Sequence, residues 1–133
     1  MNREILFRGK LEYNGKWIYG DLLQYENGDV AIFGEKLSSF GYECTEMSKR
    51  DRVIPDTIGQ YTGLKDKNGN KIFEGDILRL GDEFHYFIFN IEYGSFVAAS
   101  IKGDIGIRLF QRTIKNCGYA IIGNIYDNPE LMK

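Results

Sequence analysis

The dipeptide Asn68-Gly69 constrains this chain more than any other feature. Two residues reverse an extended chain tightly only if both accept positive φ, which Asn and Gly tolerate best. The pair therefore predicts a type I′ hairpin between one strand over Ile58 to Leu64 and a second over Lys71 to Leu80. Gly75-Asp76 interrupts the second run before Ile77-Leu78-Arg79-Leu80 resumes it. A lone glycine inside a strand pattern marks a bulge or a close backbone approach. All of these residues shape backbone, and none of them on its face performs chemistry.

The same punctuation recurs along the chain. Glu4 to Arg8 opens with a short strand pattern, Asn14-Gly15 turns, and Lys16 to Tyr25 reads as a strand interrupted at Gly20-Asp21. Alternation places Trp17 and Tyr19 on one face and Ile18 and Leu22 on the other. Asn27-Gly28 leads into Val30 to Phe33. Gly34 to Arg52 has no clean period and reads as a loop with a short helical turn, or as a flap or arm. Phe84 to Phe89 is almost continuously apolar, so burial on both faces is expected. Tyr93-Gly94-Ser95, Gly103-Asp104 and Asn116-Cys117-Gly118 then separate strands over Phe96 to Ile101, Ile105 to Ile114 and Tyr119 to Tyr126. Asn128 is placed to cap a final turn, with Pro129 at its first helical position. Turns every ten residues or so predict a mainly β protein of twisted antiparallel sheets, a sandwich or a barrel. The expected core is Trp17, Ile18, Leu22, Ile77, Leu78, Phe87, Phe89, Val97, Ile107, Leu109, Ile121, Ile122 and Ile125.

Three segments carry a resemblance. They are Ile58 to Leu78 (IGQYTGLKDKNGNKIFEGDIL), Lys16 to Leu22 (KWIYGDL) and Ile122 to Leu131 (IGNIYDNPEL). In order and spacing this set resembles the YopX family, small proteins of phages and prophages of Gram-positive bacteria. The resemblance implies an all-β fold of several coiled sheets that includes an SH3-like barrel, here expected from about Ile72 to Tyr126. It implies one domain over 1–133, with an N-terminal β arm over 1–52 and a β-rich part over 53–133. It brings no established activity and no catalytic residue.

Composition sets outer bounds. A chain of 133 residues is long enough for one domain with a real core. Hydrophobic residues make up 43% and charged residues 27%, the balance of a globular chain. Net charge is −2, with a pI of about 5.5, so the surface as a whole does not attract nucleic acid. The chain shows neither a basic-plus-apolar leader nor a run of ~18 apolar residues. Cys44 and Cys117 form no disulfide framework. A cytoplasmic protein of a bacterial host, with reduced thiols, is the expectation.

Each chemical constellation has a plainer reading beside it. Nucleophilic catalysis of the Ser-His-Asp or Cys-His kind must pass through His85, the only histidine, which sits inside an aromatic strand as core or edge histidines do. One His and two unclustered Cys lack zinc spacing. Asp66-Lys67-Asn68-Gly69-Asn70 superficially matches a calcium loop, but Gly69 comes too early and the twelfth position is Ile77. No Gly-rich phosphate loop occurs, and Gly103-Asp104-Ile105-Gly106 lacks the helices of a KH loop. Neither a cofactor nor a metal is expected. Asp51, Asp56, Asp66, Glu74, Asp76, Asp82, Glu83 and Asp104 mostly neighbour glycines or asparagines, as turn residues do. Lys49-Arg50-Asp51-Arg52 reads as a solvated loop. The best binding candidate is Arg108, Phe110 and Arg112, which in a strand share one face and set two guanidiniums around a ring.

The expected function is a non-catalytic interaction module that associates with itself or binds another protein. Nine Tyr, nine Phe and one Trp are hard to bury in one small core, and rings are enriched at interface centres. Nucleic-acid binding through the Arg108-Phe110-Arg112 face is the alternative, and an enzyme with a carboxylate site is the third reading.

Overall fold

Strands form both where apolar and polar residues alternate and along the apolar runs Val30 to Phe33 and Phe84 to Phe89 in the computed structural model, which describes residues 4–34, 52–81, 83–90, 95–100 and 111–132. The chain divides into two compact units, Met1–Gln60 and Tyr61–Lys133.

In the first unit, β1 (Phe7–Lys10), β2 (Trp17–Gln24) and β3 (Val30–Phe33) form an antiparallel meander. The first residues of β4 (Gly59–Lys65) pair with the far side of β1. Register sets Lys10 opposite Trp17 and Leu22 opposite Ile32. Ile18 and Leu22 therefore turn, with Phe7, Leu11 and Ile58, onto a core of Val30, Ile32 and Val53. Each fully buried side chain of this size contributes about 1.5–3 kcal/mol.

Val53 reaches that core because Arg52 to Ile54 bonds to two strands at once. Its N–H donates to Val30 O at 3.1 Å, while Ile54 N–H donates to Lys10 O at 2.8 Å. Thr57, in the 3₁₀ turn Pro55–Thr57, closes the same corner. Its Oγ1 accepts the Lys10 N–H at 2.9 Å and donates to Ile54 O at 2.6 Å. Gly20 does not interrupt β2, which runs straight through it. A Cβ there would lie 2.6 Å from the Phe33 carbonyl carbon, so the glycine permits the close approach of β3.

In the second unit, β5 (Lys71–Phe73) pairs with β4. β6 (Asp76–Leu80), β7 (Glu83–Asn90), β8 (Ser95–Ser100) and β9 (Ala120–Asn124) form an antiparallel sheet in the order β8-β7-β6-β9. Its core comprises Ile72, Leu78, Phe87, Ala98, Ile114 and Tyr119, with Leu64, Leu80, Phe96 and Ile121 packed against it. Helix α1 (Gln111–Cys117) supplies Ile114 and ends at Gly118, whose φ of 82° lets its N–H turn back to Ile114 O at 3.0 Å. The Gln111 side chain donates to Lys65 O at 2.7 Å and accepts the Lys65 N–H at 2.8 Å, as a strand neighbour would.

The mainly β, antiparallel class predicted from the turns is what forms, and several details differ. Among the described residues the second unit has an open four-stranded sheet and no closed SH3-like barrel. The strand expected over Ile105 to Ile114 is overturned at its end, since residues 111–114 are helical, while 101–110 lie outside the described residues. The hairpin at Asn68-Gly69 is present but is not type I′. Gly69 alone takes positive φ, 84°, and Asn68 does not. Asp66 N–H bonds Asn70 O at 2.9 Å and Gly69 N–H bonds Asp66 O at 3.0 Å, giving a three-residue loop closed by a left-handed glycine. Tyr25 to Asp29 repeats that pattern around Gly28. Of the expected core, Ile77, Leu78, Phe87 and Val97 are buried, Trp17 is half-buried and Ile122 is exposed. Ile107 and Leu109 lie outside the described residues, as does the segment 35–51.

Candidate functional site

The segment that most resembles a ligand loop is a structural joint. Asp66 is completely buried. Its Oδ1 accepts the N–H groups of Asn68 and Asn70, both at 2.9 Å. Its Oδ2 accepts the Ile121 N–H at 3.1 Å and the Asn70 side-chain amide at 3.4 Å. Burial alone would raise the Asp66 carboxyl pKa. The backbone N–H groups of Ile121, Asn70 and Asn68, aided by the Asn70 side chain, outweigh it and hold the pKa below the ordinary 3.8. The carboxylate thus faces donors where a calcium loop would offer acceptors to a cation. It ties the β4–β5 hairpin loop to β9, and Lys67 N–H adds a bond to Tyr119 O at 2.9 Å.

The other motif residues do similar work. Asp76, also buried, accepts the Phe73 N–H at 2.7 Å across the Glu74-Gly75 turn. Gly75, at φ 94°, donates to Phe87 O at 2.8 Å and accepts from Ile125 N–H at 2.9 Å. Near the C-terminus, Asn124 Oδ1 accepts the N–H groups of Tyr126 and Asp127 at 3.0 and 2.9 Å. Asn128 Oδ1 accepts the Asn124 N–H at 3.1 Å, and a Cβ on Gly123 would lie 2.7 Å from Asn128 Cγ. The 3₁₀ turn Pro129–Met132 then forms where Asn128-Pro129 predicts a final turn.

Of the predicted site residues, the structure describes Arg112 alone. Arg112 is exposed on α1, while Arg108 and Phe110 lie outside the described residues. The alternation that put Arg112 on a strand face with them does not apply to a helix. His85 sits on β7 with its ring edge-on to Tyr119, centroids 5.9 Å apart, and its buried Nδ1 has no hydrogen-bond partner among the described residues. Cys117 is exposed at the end of α1, and Cys44 falls outside the described residues. No group of three His, Cys, Asp or Glu among the described residues is placed to hold a metal ion. None of their helices is long and apolar enough to cross a membrane.

What the structure does assemble is one face of β2. Odd-numbered residues point away from the first unit's core, and Tyr19, Leu23 and Tyr25 are 46%, 39% and 36% exposed. Trp17 begins this stripe and is half-buried, with the Arg8 guanidinium 4.6 Å and the Lys10 ammonium 5.5 Å from its ring centre. Arg8 and Lys10 project from β1 on the same side, and cation–π attraction holds the Trp17 ring in place. The stripe therefore has a fixed aromatic at one end and open apolar side chains beyond it. The sequence signal for it was the alternation itself, which places Trp17 and Tyr19 together and extends to Leu23 and Tyr25.

A model of the family described as YopX protein matches residues 6–133. The chain is also similar to the crystal structure of a protein from Enterococcus faecalis. The two are 25% identical, the match covers 99% of this chain and 100% of that one, and the TM-score is 0.66. No curated protein matches.

Proposed function

The chain belongs to the YopX protein family, and from that premise we propose that it is a non-catalytic protein-interaction module. The observation that carries the reading is the β2 face, where Tyr19, Leu23 and Tyr25 stand open to solvent beside a pinned Trp17. Aromatic and aliphatic side chains on a rigid strand lose little conformational entropy on contact and exclude water well, as interface centres require. The buried carboxylates support the non-catalytic half of the reading. Asp66 accepts backbone N–H groups at both of its oxygens, and Asp76 Oδ2 accepts the Phe73 N–H. On the family's association with phages and prophages, we place the action in the cytoplasm of the host bacterium.

Site-specific photo-crosslinking in producing cells tests this. A photoreactive phenylalanine analogue replaces Tyr19, and as a control the exposed Lys115 on α1. Discrete protein adducts from position 19 that are absent from position 115 are expected. No adduct at position 19, equal adducts at both positions, or adducts on nucleic acid in place of protein would refute the reading.

A further inference from the structure

One corner of the second unit gathers cations without counter-ions. The Gln111 side chain holds the main chain of Lys65, so α1 begins beside the end of β4. The Lys67 N–H donates to Tyr119 O at 2.9 Å, so the hairpin loop meets the chain again just past the end of α1. Lys65 and Lys67, two residues apart, lie within about 7 Å of each other along the main chain. Lys115 follows Gln111 by four residues and Arg112 by three, so these three share one flank of α1, the flank that meets Lys65. Lys65, Lys67, Arg112 and Lys115 are all exposed, and none of them forms an ion pair among the described residues. Among the described residues of β4, its loop, α1 and β9, the only carboxylate is Asp66, which is buried and committed to the N–H groups of Asn68, Asn70 and Ile121. Asp76 stands opposite Asn124, at the far end of β9, and β6 separates β9 from β7 and its Glu83. Like charges held this close repel one another, and an anion laid across them removes the repulsion.

The surroundings select the kind of anion. Protein–protein contacts are poor in lysine and centre on rings and aliphatic side chains. On β4, its loop and α1, no large hydrophobic side chain is exposed among the described residues. Contacts with nucleic acid are polar and strongly positive, as this corner is. A single-strand platform needs open rings on which bases stack, and none is exposed here. We propose that this corner binds duplex nucleic acid through its phosphates, without reading sequence. The site is separate from the β2 face and does not depend on the interaction-module reading. Arg112 enters it from a helix, and not as the strand-face neighbour of Arg108 and Phe110 that alternation predicts.

Fluorescence anisotropy of the full chain with a labelled DNA duplex of mixed sequence, over a range of salt concentrations, tests this. Four phosphate contacts predict that log K falls against log salt with a slope between about −3 and −4. Lys67→Gln and Lys115→Gln should each flatten that slope by about one unit. The Lys65→Gln/Lys67→Gln/Arg112→Gln/Lys115→Gln variant should lose binding yet keep the wild-type circular dichroism, since the main-chain bonds of the loop and helix remain. Lys16→Gln removes the same charge from an exposed position in the first unit and should leave binding unchanged. Absence of binding at low salt, a slope indifferent to Lys67→Gln and Lys115→Gln, or an equal loss from Lys16→Gln would overturn the inference. So would a single strand or polyglutamate bound as tightly as the duplex.

Discussion

Replacing Asp66 by Asn changes almost no volume, yet it should destabilise the second unit more than any surface substitution. One polar atom of the new side chain stays a carbonyl oxygen and can still accept from Asn68 and Asn70 N–H. The other becomes an NH₂ group facing the Ile121 N–H and the Asn70 amide, donor against donor. A hydrogen bond to a charged group is worth about 1.5–3 kcal/mol net, against about 0.5–1.5 for a neutral one. Losing the Ile121 bond and weakening the other two should cost about 2–4 kcal/mol, from a total of ~5–15 for a typical domain. Urea denaturation followed by circular dichroism reads this as a lower midpoint, and hydrogen exchange should show faster exchange at the Ile121 amide. The pH dependence gives an independent check. The folded-state pKa of Asp66 lies below its ordinary 3.8, so its contribution is complete above that value. It is lost as pH falls further, through the depressed folded value. The gap between wild type and Asp66→Asn should therefore be widest at neutral pH and narrow below pH 3.8. Stabilities within about 0.5 kcal/mol of each other at neutral pH, or a gap independent of pH, would refute the account.

Gly20→Ala should cost about 3 kcal/mol, because the new methyl group would run into the Phe33 carbonyl and the Gly34 backbone, so that main chain and not a flexible side chain must shift. Thermal denaturation and the loss of amide protection in β3 would show it. Thr57→Val keeps the shape but leaves the Lys10 N–H and Ile54 O without the hydroxyl that joins them. A loss of about 1–3 kcal/mol is expected, read as a lower urea midpoint with an unchanged slope.

The turns were the most legible part of the sequence, because Asn-Gly pairs at 14–15, 27–28 and 68–69 each demand a reversal. Their detailed geometry was not legible. A type I turn followed by a left-handed glycine needs positive φ only at Gly69, and the dipeptide reads the same either way. Alternation correctly set Trp17 and Tyr19 on one face of β2 and Ile18 and Leu22 on the other, but it did not say which face is open, and Trp17, expected in the core, lies on the open one. It failed at Gln111 to Cys117, a stretch too short for a period of two to be told from one of 3.6. Gly118 and Lys115 were the available helix-end signals there. The role of Asp66 could not be read at all, since it depends on Ile121, 55 residues away. The excess of rings is divided in the structure. Tyr61, Phe73, Phe87 and Tyr119 are buried, while Tyr13, Tyr19 and Tyr25 are left outside.

The grip of Gln111 on Lys65 bears on how the molecule avoids clumping. β5 takes one flank of β4, and the side-chain amide from α1 occupies both main-chain groups of Lys65. A stray extended chain meeting that rim finds the Lys65 rung already filled. At that position one glutamine does the work of a neighbouring strand, and it removes a main-chain donor and acceptor on which fibril-like growth could start.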